Sequence, residues 1–336
     1  ETFRVAKVAD LDAWRAERTA TAGDLAAADV GADEWNFVVG PGAYFYNHLS
    51  RFPVRLGEIS HLFVGLQTDA DDVFILEEIR VEGSLTLCAS KATGEQHWFE
   101  SEHIKLLLKG SLNIRRYHLS DVNKRLVFPY VTDCGKSILV AEDEYKQRYP
   151  LTWAYLEANR KRLSMRNKGQ MGDEWYGYVY KKNHTRFGMP KLVVPSIATG
   201  SCFAADLSGD YYFVGSGGGG GGGYGILLEE IDISPLYLLG LLNSRVLSCY
   251  LKMVSTPFRG GYIALNRQYI SQLPIRTIDF TDPADVARHD RMVALVERML
   301  ALHRDLAAAI TPQSKRLLQQ QIALTDGAID ALVYEL

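Results

Sequence analysis

The sequence predicts an α+β fold: twisted, mostly antiparallel β-sheets with flanking helices, followed by a C-terminal antiparallel helical hairpin. Three observations predict it. Runs rich in β-branched and aromatic residues, parted by short breaks, fill residues 55–140. Strand-like runs return as "KLVVPSIA", "CFAADLSG", "YYFVG" and "YGILLEE". Near the end, Met292, Val296, Met299, His303, Leu306 and Ile310 recur at spacings of three and four, and Leu318, Ile322, Thr325, Ile329, Leu332 and Leu336 repeat the rhythm, which is the period of one helical face.

Taken in order, residues 1–40 mix short extended and helical signals, with acids outnumbering bases. "HLFVGL", "DVFILEEIRVEGSLTLCA", "QHWFES" and "RLVFPYV" read as strands, and "EHIKLLLKG" as a brief helix ended by Gly110. A longer helix is expected from Glu142 to about Arg166, interrupted or kinked at Pro150. Gly209-Asp210 reads as a hairpin turn, and the glycine run Gly217–Gly223 as the loop of the next hairpin. A helix then spans about Pro235–Val254, with Ser234 as N-cap and Pro235 in the first turn. Thr311-Pro312 divides the two terminal helices, which either pack on the main body or stand out as an arm.

The length of 336 residues suits two domains, or one large domain with an appendage. A hydrophobic content of 47% with 11% aromatics supports a real core and excludes a disordered chain. The net charge of −3 does not announce a nucleic-acid binder, so the distribution of charge decides. Cys88, Cys134, Cys202 and Cys249 lie far apart in sequence, without zinc-site spacing, and suit a reducing cytosol. The sequence opens at Glu1 without a signal peptide, as expected of a piece of a longer protein. Its most apolar window contains Arg245 and Lys252, which favours a buried helix over a membrane span.

Chemistry-bearing motifs are sparse. A phosphate loop needs a lysine and a hydroxyl after its glycines, but Tyr224 follows here. A dinucleotide fingerprint leads into a helix, whereas "GGGYGILLEE" leads into a strand. HExxH, GxSxG and the [DN]PP[YF] stretch of amino-methyltransferases are absent. Asp69, Asp71 and Asp72 read as polar turn residues before a strand rather than as a metal site. Positive charge gathers in two segments. One holds Lys105, Lys109, Arg115, Arg116, Lys124 and Arg125. The other holds Arg160, Lys161, Arg162, Arg166, Lys168, Lys181, Lys182, Arg186 and Lys191, interleaved with Trp175, Tyr176, Tyr178 and Tyr180. Cations with aromatics suit a surface that follows a phosphate backbone, though they are equally ordinary solvated charges. The acids crowd into residues 1–34 and 69–102, which suggests one basic and one acidic face.

The succession "GLQTDADDVFIL", "LLLKGSLNIRRY", "KLVVPSIA", "YYFVGSGGGGGGGYGI", "LNSRVLSCYLKMVSTPFRGGYIALNRQYISQLPI" and "IDALVYEL" resembles the TaqI-like C-terminal specificity region of type II restriction-modification adenine methyltransferases, including methyltransferase–nuclease fusions. The last third is also similar to the end of type I restriction specificity subunits. The resemblance runs from about Gly57 onward. It implies a target-recognition region at 56–280, preceded at 1–55 by a connection from an upstream catalytic domain and followed at 281–336 by a helical spacer or docking arm. It further implies that double-stranded DNA and that upstream domain are the partners, with a restriction subunit as a further possible one. S-adenosylmethionine would belong to the upstream domain, with no cofactor in these residues. The alternative is a protein-interaction scaffold that docks a catalytic subunit through the terminal helices.

Under that reading the side chains able to address base edges are Arg115, Arg116, Arg166, Asn183, Arg186, Ser201 and Arg259. Arg259 precedes Gly260 and Gly261, which permit close backbone approach, and a purely structural turn explains it equally well. Lys109, Lys168, Lys181 and Lys182 suit phosphates, as do the backbone N–H groups of Gly217, Gly218, Gly219, Gly220, Gly221, Gly222 and Gly223. Freezing that run costs about 10 kcal/mol at roughly 1–2 kcal/mol per residue. It is therefore expected either to order on DNA or to serve as a permissive spacer.

Overall fold

The computed structural model describes residues 2–27, 38–40, 42–120, 122–215, 221–229 and 232–336. An N-terminal hairpin of β1 (Thr2–Lys7) and β2 (Thr21–Ala26) encloses α1 (Leu11–Glu17), whose N-cap Asp10 accepts from the Asp12 and Ala13 amides. No residue of α1 is buried. Helices α2 (Ala43–Leu49) and α3 (Leu56–Ile59) lead into β3 (Ser60–Val64).

Next come α4 (Asp71–Phe74), β4 (Ile75–Glu82), β5 (Leu85–Ser90), β6 (Gln96–Glu100) and β7 (Ile104–Leu108). The stretch expected as a helix before Gly110 is thus strand β7. It is flanked on both sides by other strands, so its unbroken apolar run is that of a buried strand. After α5 (Gly110–Asn113) follow β8 (Ile114–Arg115), β9 (His118–Leu119), β10 (Lys124–Val127), β11 (Tyr130–Asp133) and β12 (Lys136–Leu139). The helix expected over 142–166 is broken into α6 (Glu142–Arg148), α7 (Pro150–Ala158) and α8 (Arg160–Ser164), the first break falling at Pro150 as expected. A tight turn, α9 (Arg166–Gly169), carries Asn167 and Lys168 in the left-handed region.

Strands β13 (Lys191–Pro195), β14 (Ile197–Ala198), β15 (Ala204–Asp206), β16 (Tyr211–Phe213) and β17 (Gly223–Leu228) complete the β structure apart from β18 (Ile263–Ala264). They build two main sheets. One is six-stranded, in the order β16-β7-β10-β4-β5-β6, with a single parallel pair, β16–β7. The other is four-stranded and antiparallel, β15-β13-β17-β3. Two expected hairpins are therefore not hairpins. The 207–210 turn and the glycine run each connect one sheet to the other. Asp206 bends the chain at the first crossing by accepting from the Gly209, Asp210 and Tyr211 amides and from Lys191. Both side chains of the Lys191–Asp206 pair are fully buried.

The four-stranded sheet separates two cores. Phe63, Val193 and Leu227 face the six-stranded sheet and its aromatic cluster, while Leu62, Leu192, Val194 and Ile226 face the helices. Those helices are α10 (Pro235–Asn243), α11 (Arg245–Val254), α12 (Arg267–Ile270), α13 (Pro283–Ala308) and α14 (Pro312–Glu335). The single helix expected over 235–254 is divided at Ser244, which is extended (φ −64°, ψ 155°) and caps α11 through the Leu247 amide. The terminal hairpin is as expected. Its seam, from Met292, Val296 and Met299 to Ile329 and Leu332, is buried against the body. Ile310 lies past the end of α13 and is 92% exposed.

Candidate nucleic-acid interface

Folding removes several expected DNA-contacting side chains from the surface. Arg166 is 3% exposed, and its guanidinium donates to the carbonyls of Leu163, Thr68, Trp175 and Gly177. It holds three chain segments together, with four of its five N–H donors committed to main-chain carbonyls. Arg116 makes a two-pronged pair with Asp326 at 2.7 and 3.0 Å and bonds the Asn243 carbonyl, tying the β8–β9 turn to α14. Ser201 is buried, its amide bonded to Ser248 Oγ. Trp175, Tyr176 and Tyr178 belong to the core, and among the interleaved aromatics only Tyr180 is half-exposed. The proposed acidic and basic faces also cancel locally: Lys124 pairs with Glu77, Arg125 with Glu78, and Arg162 with Asp72. Asp71 accepts from Thr68, so that acidic turn is internally bonded as well.

Lys109 and Ile114, the neighbour of Arg115, lie beside the exit of the glycine run. Gly217, Gly218, Gly219 and Gly220 lie outside the described residues, but Gly222 and Gly223 at the exit of the run are held. The Gly223 amide donates to the Val214 carbonyl at 3.0 Å, Gly65 donates to Gly223, and Ser196 donates to the Gly222 carbonyl at 2.9 Å. Gly65 makes this closure possible, because a Cβ there would collide with the Val214 carbonyl. Lys109 lies beside the exit, its Cδ 3.8 Å from where a Gly221 Cβ would stand. Burial pulls its ammonium below the ordinary lysine range, and Asp71 opposes that shift. Arg115, two residues beyond α5, hydrogen-bonds the Ser111 and Ile114 carbonyls while remaining exposed.

A second flank lies along β3. Asn183 occupies the left-handed region (φ 65°), donates to the Val64 carbonyl and accepts from Arg186. His61 on the same strand is held below its ordinary value by burial, then by the charges of Arg186 and Arg267. Its imidazole thus senses two guanidiniums that are distant in sequence. Lys182 and Lys168 are exposed, whereas Lys181 pairs with Glu174. Arg259 sits in a turn where Gly260 and Gly261 both have φ 76°, and among the described residues its guanidinium bonds no carbonyl, unlike a structural turn arginine.

Two depressions adjoin the run. A cleft of about 360 Å³ is walled by Thr68, Asp69, Asp71, Arg162, Tyr180 and Gly215. An open groove of about 390 Å³ is lined by Tyr224, Asn266, Arg267, Gln268 and Ser271. Sequence reasoning missed this groove. The signal was present as "NRQ", three consecutive side chains suited to base edges just after a paired-glycine turn. Among the described residues, no cluster of three His, Cys, Asp or Glu is placed to hold a metal ion, and no helix is long and apolar enough to cross a membrane.

The chain is similar to specificity regions of restriction-modification enzymes. Residues 135–275 match the family of TaqI-like C-terminal specificity domains, in line with the sequence resemblance. Among curated proteins, it is 26% identical over 249 residues to the type II restriction enzyme and methyltransferase RM.Eco57I of Escherichia coli, a match covering 70% of this chain. The chain spans about a quarter of that relative's length, the matched share being 24%. Among solved structures, the type IIL restriction-modification enzyme MmeI in complex with DNA aligns with a TM-score of 0.50 at 9% identity, covering 84% of this chain and 33% of that one. That last likeness is one of fold.

Proposed function

We propose that this chain is the DNA target-recognition region of a type II restriction-modification adenine (N6) methyltransferase, acting in the cytoplasm. It would position duplex DNA for an upstream S-adenosylmethionine-dependent domain. The observation that carries this reading is the position of Lys109 and of Ile114, the neighbour of Arg115, beside the Gly221–Gly223 exit of the glycine run, in a chain similar to the specificity family. Cations and backbone N–H groups at such a rim supply the sequence-independent grip, and forked side chains supply base discrimination. The methyl donor does not fit here. The glycine run feeds strand β17 rather than a helix, so these residues do not form a nucleotide cradle, and no methyl-transfer step is assigned to them. The scaffold alternative is disfavoured because the apolar seam of α13 and α14 is used within the chain.

The test is equilibrium binding of the full-length protein to duplex DNA across a salt series, with methylated adenines mapped in cells. Affinity should fall linearly with log salt, and Lys109→Ala should lower that slope by about one while preserving the ranking of sequences. Binding that ignores both salt and sequence would refute the proposal.

A further inference from the structure

We propose that Asn266, Arg267 and Gln268, together with Arg186 across the edge of β3, are the principal base-reading element of this domain. The inference rests on the DNA-binding reading above and assigns its specificity to a segment outside the expected set. Three observations support it.

The first is placement. Leu265 and Ile270, on either side of the trio, are both fully buried, so the exposed Arg267 and Gln268 stand on a fixed platform. The Leu265 amide donates to the Ser196 carbonyl at 2.8 Å, and the Ser196 amide donates to Gly222. Two backbone hydrogen bonds therefore connect the trio to the exit of the glycine run. Tyr269 Oη bonds Thr256 Oγ1 at 2.6 Å, which ties α12 to the hairpin that carries Arg259. The trio sits between the two glycine-rich loops.

The second is availability. Arg116, Arg125, Arg162, Arg245 and Arg276 all pair with carboxylates. Among the described residues the Arg267 guanidinium has no such partner. Asn266 Oδ1 is shielded from solvent and accepts no hydrogen bond among the described residues. A shielded acceptor without a donor is costly unless a ligand supplies one. The third is chemistry. An arginine fork matches the paired acceptors of guanine, and asparagine or glutamine amides match the donor–acceptor pair of adenine. The groove they line opens directly beside Tyr224, the residue after the glycine run.

The experiment measures binding of the full-length protein to its preferred duplex and to every single-base-pair variant of it. Arg267→Ala should erase discrimination at one base pair, a loss on the order of 10- to 100-fold in the ratio of affinities, while affinity for non-cognate DNA and the melting temperature stay unchanged. Arg267→Lys keeps the charge without the fork and should relax the same position. Gln268→Ala should relax a neighbouring one. If wild type discriminates but these variants weaken all duplexes evenly, or change nothing, the assignment is overturned while the recognition function stands. If wild type itself does not discriminate, the proposed function fails and the assignment with it.

Discussion

Replacing Arg166 by alanine separates an internal strut from a DNA contact. The side chain makes four hydrogen bonds to main-chain carbonyls and lies over the Phe74 ring at 5.2 Å. Alanine leaves those four acceptors without their donor. At about 1 kcal/mol net for each, the loss is about 4 kcal/mol, within the range for breaking a buried polar network. For a chain of this size that lowers the melting temperature by about 8 °C, at about 2 °C per kcal/mol. Arg166→Lys should fare little better, since an ammonium cannot span segments as far apart as Thr68 and Gly177. Urea unfolding followed by tryptophan fluorescence is the natural assay, because Trp153 and Trp175 pack in the same core. A variant of unchanged stability with altered base preference would return Arg166 to the DNA surface and refute the argument.

Two further outcomes follow from the packing. Gly65→Ala should destabilise the fold by at least about 1–3 kcal/mol, read by thermal melting, because its Cβ would press on the Val214 backbone where the two sheets meet; an unaffected melting temperature would contradict the closure described. Acid should also weaken the protein. Burial pushes His103 down to about 3, and His184 and His303 down to about 4, from an ordinary 6.5. The unfolded chain therefore takes up these protons first. Stability is intact above pH 6.5 and falls as pH drops from 6.5 toward 4 and then 3, with a slope of up to about 1.4 kcal/mol per pH unit for each well-buried ring and less for the half-buried His303. Equal unfolding free energies at pH 7.5 and pH 5 would be inconsistent with neutral buried imidazoles.

Much of the architecture was legible because periodicity reports burial. The α13–α14 hairpin shows this best, since its three-and-four rhythm follows one buried seam. Where burial surrounds an element, the rhythm vanishes, and the apolar run of β7 is then as compatible with a helix as with a strand. Pairing is harder still, because nothing local reveals that β16 joins β7 rather than β17. The site was legible at the level of residue type. Among the described residues Arg186 is held only by the neighbouring Asn183 side chain, yet Arg166 and Arg116, identical in chemistry, are held by Gly177 and Asp326. Only the fold decides which arginine finds an internal acceptor first.

The sheet shared by two cores bears on any attempt to transplant this domain. The matched family segment begins at residue 135, inside the β11–β12 hairpin, and omits four of the central and outer strands that support the aromatic core, β4 to β7. A chimaera cut at that boundary would part β16 from its own partner β7 and set it against the recipient's upstream strands. Exchange of specificity between relatives should therefore use a junction before β3, or change single side chains on an otherwise intact scaffold.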